Sequence, residues 1–408
     1  MRIFFSVGEP SGDLHGANLI RELRRREPQV ECVGYGGPRM EAAGCQLHTD
    51  LTRFAVMWFW RVLVQLHRFY GLYRHADRYL KRERPDAVVL IDYPGFNWWI
   101  ARAAKRHGIP VFYYGVPQMW AWAGWRIKKM RRLVDHVLCK LPFEADWYRA
   151  RGCRAIYVGH PYFDETTRHP IDKAWLRAQS HLGEGPLVTI LPGSRAQEVQ
   201  ANLPDFLRAV RQIRSCVPNV RFAIAAFNEK QAAWAREAVA RAGQTLDVDV
   251  GKTPELIHAA TCCLACSGSV SLELLHHEKP TVILYRVSRL AFQAQKLFRK
   301  VKFITLVNLL ASSDPVPGRY VAHDPDAVDA EETPMPEYLT ASDRSASLAR
   351  WVIAWLTNPE SLAQKVEQLR QLKDRYAAPG ASSRAADYLL LQLQPATSSE
   401  SLSARAVA

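Results

Sequence analysis

The pentapeptide Leu191-Pro192-Gly193-Ser194-Arg195 closes a short apolar run, Leu187 to Leu191, and opens a helical pattern near Gln197. A strand, a glycine turn and a helix N-terminus leave backbone N–H groups aimed at one spot, and a phosphate fits there. Arg195 adds a planar, permanently charged fork that can hold two phosphate oxygens. Gly193, Ser194 and Arg195 are therefore a candidate diphosphate seat, with an ordinary strand-to-helix turn and a solvated arginine as the alternative. A second corner of the same kind, Cys266-Ser267-Gly268-Ser269, opens another helix with Glu273 one turn in. A carboxylate there either accepts hydrogen bonds from ribose hydroxyls or simply complements the helix dipole.

The first half of the chain offers carboxylates. Gly8-Glu9-Pro10-Ser11-Gly12-Asp13 separates an apolar strand, Ile3 to Val7, from a helical pattern of about Gly16 to Arg26. Ser11 and Asp13 either cap that helix or face a substrate. The run Asp86 to Ile91 reads as a strand covered on both faces. It ends in Asp92-Tyr93-Pro94-Gly95-Phe96-Asn97, and a carboxylate at the end of a buried strand is costly unless used or paired. Asp92 is thus a site candidate, with capping of an Asn97 to His107 helix as the alternative.

Metal and nucleotide-triphosphate chemistry find little support. Cys263 and Cys266 have CxxC spacing, but no second pair stands nearby and the surroundings read as a buried strand. His276-His277 is an adjacent pair whose rings point apart on a helix. Neither GxxxxGK[ST] nor GxGxxG is present, so no metal and no cofactor is expected.

These corners need a scaffold. Strand and helix patterns alternate through residues 1–161, with strands at Ile3 to Val7, Val30 to Val33, Asp86 to Ile91, Val111 to Tyr114 and Asp135 to Leu138. The alternation repeats with strands near 187–191, 221–225, 246–250, 262–265 and 280–284, separated by helices near 197–217, 229–242, 254–260 and 269–277. Two such sets imply an α/β protein with two Rossmann-like domains facing each other across a cleft. The expected division is 1–165, 166–380, and a C-terminal helix with a frayed tail at 381–408. Residues 311–340, rich in Pro, Asp and Ala, read as a long loop or irregular insertion.

A length of 408 residues with 48% apolar and 23% charged residues suits a folded two-domain protein. The net charge of +14 favours an anionic partner. Nucleic acid is disfavoured, because the basic residues are dispersed through both halves and no RNA-binding motif is present. Met57-Trp58-Phe59-Trp60, followed by an aromatic and arginine-rich helical pattern from Arg61 to Arg82, suits a membrane interface, whereas a core helix with a basic face is the plain alternative. No apolar run approaches the ~18 residues of a membrane span. Eight dispersed cysteines and an N-terminus that enters a strand without a secretion signal point to a reducing cytoplasm.

Taken in order, Gly8 to Asp13, Ile91-Asp92 with Phe96-Asn97, Trp120-Ala121-Trp122, Leu141-Pro142-Phe143-Glu144, Val158-Gly159-His160-Pro161, Leu191 to Arg195 with Glu198-Val199, Ser267-Gly268 with Leu272-Glu273, Tyr285-Arg286 and Val307 to Ala311 resemble the lipid-A-disaccharide synthases. The resemblance implies a metal-free GT-B glycosyltransferase. It would transfer 2,3-diacylglucosamine, with inversion, from its UDP derivative to the 6-hydroxyl of 2,3-diacylglucosamine 1-phosphate, at the cytoplasmic surface of the inner membrane. It places Arg195, Gly193, Ser194, Ser267, Gly268, Ser269, Glu273 and Asn308 at the donor. Ser11 and Met57 to Trp60 fall on the acceptor and membrane side, and a homodimer is left open. The family's proposed catalytic carboxylate lies three residues beyond the match to Asp92, where this chain has Gly95. Asp92, Asp13, another carboxylate or water must then take the proton, with Arg195 stabilising the leaving UDP.

Overall fold

Apolar runs that need cover on both faces become central parallel strands. The computed structural model describes residues 1–54, 66–166, 171–179, 185–327 and 333–394; Met57, Trp58, Phe59 and Trp60 lie outside the described residues. Strands β1 (Arg2–Val7), β2 (Glu31–Gly36), β3 (Gln46–Asp50), β4 (Ala87–Ile91), β5 (Val111–Tyr114), β6 (His136–Cys139) and β7 (Ala155–Tyr157) form one sheet. Its order is β3-β2-β1-β4-β5-β6-β7. Strands β8 (Leu187–Leu191), β9 (Arg221–Ala226), β10 (Asp247–Val250), β11 (Cys262–Cys266), β12 (Thr281–Arg286) and β13 (Glu337–Thr340) form a second, in the order β10-β9-β8-β11-β12-β13. The strand pairs in both sheets are parallel, as Phe4↔Val88 and Ile190↔Ile224 show.

The chain divides into two units, Met1–Asp164 with Pro379–Ala408, and Glu165–Ala378. In unit 1, Ile3, Phe5 and Val7 of β1 and Val89 and Ile91 of β4 pack with Leu19, Leu23 and Leu389. In unit 2, Val188, Ile190, Leu264 and Val282 pack with Phe206, Val210 and Trp355. Each such side chain contributes about 1.5–3 kcal/mol on burial. The C-terminal helix Ala381–Leu393 belongs to unit 1. The Asp164 carboxylate accepts from the backbone N–H of Gly380, Ala381 and Ser382 at 2.6, 3.0 and 2.8 Å, satisfying the helix N-terminus, and Arg26 pairs with Asp387.

Three strands have no counterpart in the sequence reading, β3, the three-residue β7 and β13. Short, half-polar β3 lacks alternation, and β13 carries Glu337, a buried carboxylate in a stretch that otherwise reads as loop. Glu337 is tolerated because Ile304 N, Thr305 N and Asn308 Nδ2 donate to it at 2.8, 3.0 and 3.0 Å. Burial still pushes its pKa up. In each sheet the direction of strand addition reverses at the first strand of the unit: β1 lies between β2 and β4, and β8 between β9 and β11. Such a reversal is the place where open α/β sheets bind ligands, at the carboxyl ends of the strands.

Candidate functional site

In unit 2 the loop after β8 reaches Arg195, the N-cap of helix Ala196–Cys216. Gly193 has φ +131°, and a Cβ on it would lie 2.5 Å from Glu198 Cβ, so glycine is required by both backbone and space. The N–H groups expected to await an anion already hold one. Glu198 Oε2 accepts from Ser194 N and Arg195 N at 3.1 Å each, and Arg195 Nη1 lies 3.2 Å from Glu198 Oε1. The corner therefore binds negative charge as its geometry suggests, with the chain's own carboxylate supplying it. The Arg195 side chain stays 78% exposed.

Residues not singled out in the sequence brace this loop. Gln231 Nε2 donates to Ser194 O at 2.6 Å, and Asn202 Nδ2 donates to Pro192 O at 3.2 Å. Asn202 Oδ1 accepts from Arg286 N at 2.9 Å, tying the loop to the end of β12. The Arg286 and Arg208 guanidiniums both pair with buried Asp205. Burial raises the Asp205 pKa, against the pull of the two arginines. The second corner follows β11: Ser267, Gly268 and Ser269 lead into helix Val270–His276, with Ser271 Oγ donating to Gly268 O at 2.9 Å and Glu273 half-buried in the first turn. Asn308 has a different surrounding. It is buried, its Nδ2 donates to Met335 O and Glu337, and its Oδ1 accepts from Met335 N, which clamps helix Leu306–Ala311 to the approach of β13.

In unit 1 the end of β4 is the notable feature. Asp92 and Tyr93 follow one another with φ +46° and +44°, and helix Pro94–Arg106 starts immediately with proline at its first position. The helix thus begins three residues before the expected Asn97, and Tyr93, not Asp92, is its N-cap. Two consecutive non-glycine residues in the left-handed region cost of order 1–3 kcal/mol each and persist only where neighbours impose them. The neighbours are Asn97 and Tyr113. Asn97 Nδ2 donates to Asp92 O at 2.8 Å and makes longer contacts to Ser6 O and Ile91 O, Ser6 Oγ donates to Asn97 Oδ1, and Tyr113 Oη donates to Asp92 O at 2.7 Å.

The Asp92 carboxylate, freed from capping, lies 3.3 Å from Lys140 Nζ, with the two side chains 19% and 18% exposed. Burial opposes the Lys140 charge, but Asp92 and Glu144 outweigh it and its pKa is raised. Glu144 is itself buried, accepting from Trp120 Nε1 at 2.9 Å and Lys140 N at 3.0 Å. His15 and His160 meet edge to face at 6.3 Å, and burial, with Lys140 nearby, lowers His15 to about 4 and His160 well below the usual imidazole range. The cluster therefore holds two carboxyl groups, Asp92 and Glu144, one ammonium and two neutral imidazoles. Lys140 could have been found by the rule that found Asp92, since it too is a charge at the end of an apolar strand.

Asp13 is placed otherwise. Its helix starts at Pro10 and runs to Arg26, so Asp13 lies in the first turn and does not cap it. Its two oxygens instead accept from Gly37 N, Arg39 N and Met40 N at 2.9, 3.1 and 3.0 Å, capping helix Pro38–Ala42. Ser11 is exposed beside it. Cys263 and Cys266 are buried on β11, and burial pushes both thiols up to about 12.

Residues 3–327 match a family model described as lipid-A-disaccharide synthetase. The lipid-A-disaccharide synthase of Myxococcus xanthus is 32% identical over 394 residues, covering 97% of this chain and 98% of that one. Lipid-A-disaccharide synthase 1 of Legionella pneumophila is 30% identical, covering 96% and 97%. Among solved structures, a UDP-GlcNAc 2-epimerase from Neisseria meningitidis bound to UDP-GlcNAc matches with TM-score 0.62 at 13% identity, covering 96% and 100% of the two chains. MurG of Acinetobacter baumannii matches with TM-score 0.56 at 14% identity, covering 95% and 98%. These last two share the fold, which is of GT-B type.

Proposed function

Because the chain belongs to the lipid-A-disaccharide synthase family, the glycosyltransferases of lipid A biosynthesis, we propose that it moves 2,3-diacylglucosamine from its UDP derivative to the 6-hydroxyl of 2,3-diacylglucosamine 1-phosphate. The observation that carries the chemistry is Asp92, held in a left-handed turn at the end of β4 with its carboxylate directed to Lys140 and not to a helix terminus. In this reading Asp92 takes the proton of the attacking hydroxyl, in place of the family carboxylate that Gly95 lacks. Lys140 fixes the orientation of Asp92. His15 and His160, neutral near pH 7, add no competing charge. Asp13, whose oxygens are occupied by three N–H groups, acts as a structural cap.

On the donor side the diphosphate takes the place of Glu198 on the Arg195 fork, and the Ser267 to Ser269 corner lies against it with Glu273 on the ribose. Charge developing on departing UDP is met by Arg195 and helix N-termini, without a metal. Asn308 supports this side indirectly, through its clamp on Met335 and Glu337. Ser11 faces the acceptor, and the enzyme works as a peripheral protein at the cytoplasmic surface of the inner membrane, through Met57 to Trp60, with a homodimer as an open assembly state. The test is UDP release with both diacylated sugars in detergent. Asp92→Asn should lower kcat by about 10²–10⁴, and Arg195→Ala should weaken UDP binding by calorimetry. UDP binding without product would leave a nucleotide-binding homologue lacking the chemistry, and turnover of a non-acylated UDP-sugar would indicate another transferase or an epimerase.

A further inference from the structure

Helix Arg289–Phe298 turns its apolar side to solvent. Leu290, Leu297 and Phe298 are 81%, 75% and 61% exposed, while Phe292, Gln295 and Lys296 are partly covered. At 100° per residue, Leu290, Ala291, Ala294, Leu297 and Phe298 fall in one stripe about 120° wide. None of the helix's residues is buried. Its inner side, with Phe292 and Gln295, rests on a cavity of 290 Å³ lined by both cations and acids, Arg299 and Arg344 with Asp324 and Asp326 among them, so the charges beneath the helix are mixed and its hydrophobic ridge points outward. The fold is firm on both sides of the ridge: Ser288 Oγ accepts from Ala291 N at 3.2 Å, and the Arg299 guanidinium stacks on Tyr320 at 4.8 Å.

Charge identifies the occupant. From Ser288 to Lys302 the chain carries Arg289, Lys296, Arg299, Lys300 and Lys302 and no acidic residue. We propose that this helix docks on an anionic lipid bilayer, the ridge entering the headgroup boundary and the flanking cations meeting lipid phosphates. A second copy of the chain would bring its own basic segment and a net charge of +14 to the same face, which opposes self-pairing there. This surface belongs to unit 2. It rests on the function above only in that acylated substrates reside in such a bilayer.

Flotation of the full chain with vesicles tests it. Wild type should partition onto phosphatidylcholine mixed with phosphatidylglycerol, much less onto phosphatidylcholine alone, and less as salt rises. The triple variant Leu290→Ser/Leu297→Ser/Phe298→Ser should lose partition on the order of a hundredfold, and Arg289→Glu/Lys300→Glu should abolish the preference for phosphatidylglycerol. Unchanged UDP binding by calorimetry shows that both variants are folded. A triple variant that floats like wild type overturns the proposal, as does equal partition of wild type onto both vesicle types. A wild-type dimer that the triple variant converts to monomer, with flotation unaltered, also overturns it and assigns the ridge to a second copy. Transfer between detergent-dispersed sugars is read separately, so a failure of the functional reading is not confused with a failure here.

Discussion

Asp92 and Lys140 form an ion pair whose value depends on partial burial, because two charges 3.3 Å apart interact more strongly there than in bulk water. Lys140→Met leaves the carboxylate without its cation. The expected outcome is a lower kcat with KM for both sugars little changed and partial recovery in Lys140→Arg, whereas a purely structural lysine would change stability and leave kcat in place. Gly95 gives the complementary prediction. A Cβ there meets nothing within 4 Å, and the position lies in the first helical turn, where an added carboxylate gains about 0.3–1 kcal/mol from the dipole. Gly95→Asp should therefore fold with an unchanged or higher Tm. Combined with Asp92→Asn, it should restore part of the lost rate; a double variant as slow as Asp92→Asn alone would show that a carboxylate at 95 cannot reach the reacting proton.

Elements hold these residues by side chains reaching across sequence. Asn97 fixes the carbonyls of Ser6, Ile91 and Asp92, so Asn97→Ala should both destabilise unit 1 and lower kcat, by releasing the left-handed turn. Asp13→Ala strands the N–H groups of Gly37, Arg39 and Met40, and a loss of about 2–3 kcal/mol in urea unfolding is expected. The parallel strands were legible because apolar runs such as Ala87 to Ile91 need two covered faces, and the corners at Asp92 and Gly193 were legible because charge or glycine follows such a run. What the corners contain was less so. Glu198 stands three residues after Arg195, the spacing of a capping box, but arginine is not a capping residue and the pattern was hidden. Asn308 was placed at the donor by the family resemblance alone, and its clamp was not legible because its partners, Met335 and Glu337, lie far along the chain in a stretch without strand periodicity.

At the scale of the molecule, buried neutral imidazoles set the response to acid. Burial lowers His15, His136 and the half-buried His277 to about 4, and lowers His160 well below the usual imidazole range. Between an ordinary pKa near 6.5 and about 4 the unfolded chain binds protons that the native one does not, so stability is lost as pH falls through that window. A deeply buried histidine contributes up to about 1.4 kcal/mol per pH unit there. His15→Gln should flatten the dependence of the urea midpoint on pH between 6.5 and 4, and a slope identical to wild type would mean that His15 titrates normally in the native state. No described helix is long and apolar enough to cross a membrane.

If Asp92 is the base in transfer between two diacylated glucosamines, the rate must depend on its carboxylate. The most direct measurement is the initial rate of UDP release when wild type and Asp92→Asn are each mixed with both sugars. Wild type should turn over, and Asp92→Asn should be slower by about 10²–10⁴ with UDP binding unchanged. Full activity in Asp92→Asn, or no UDP from wild type, would contradict it.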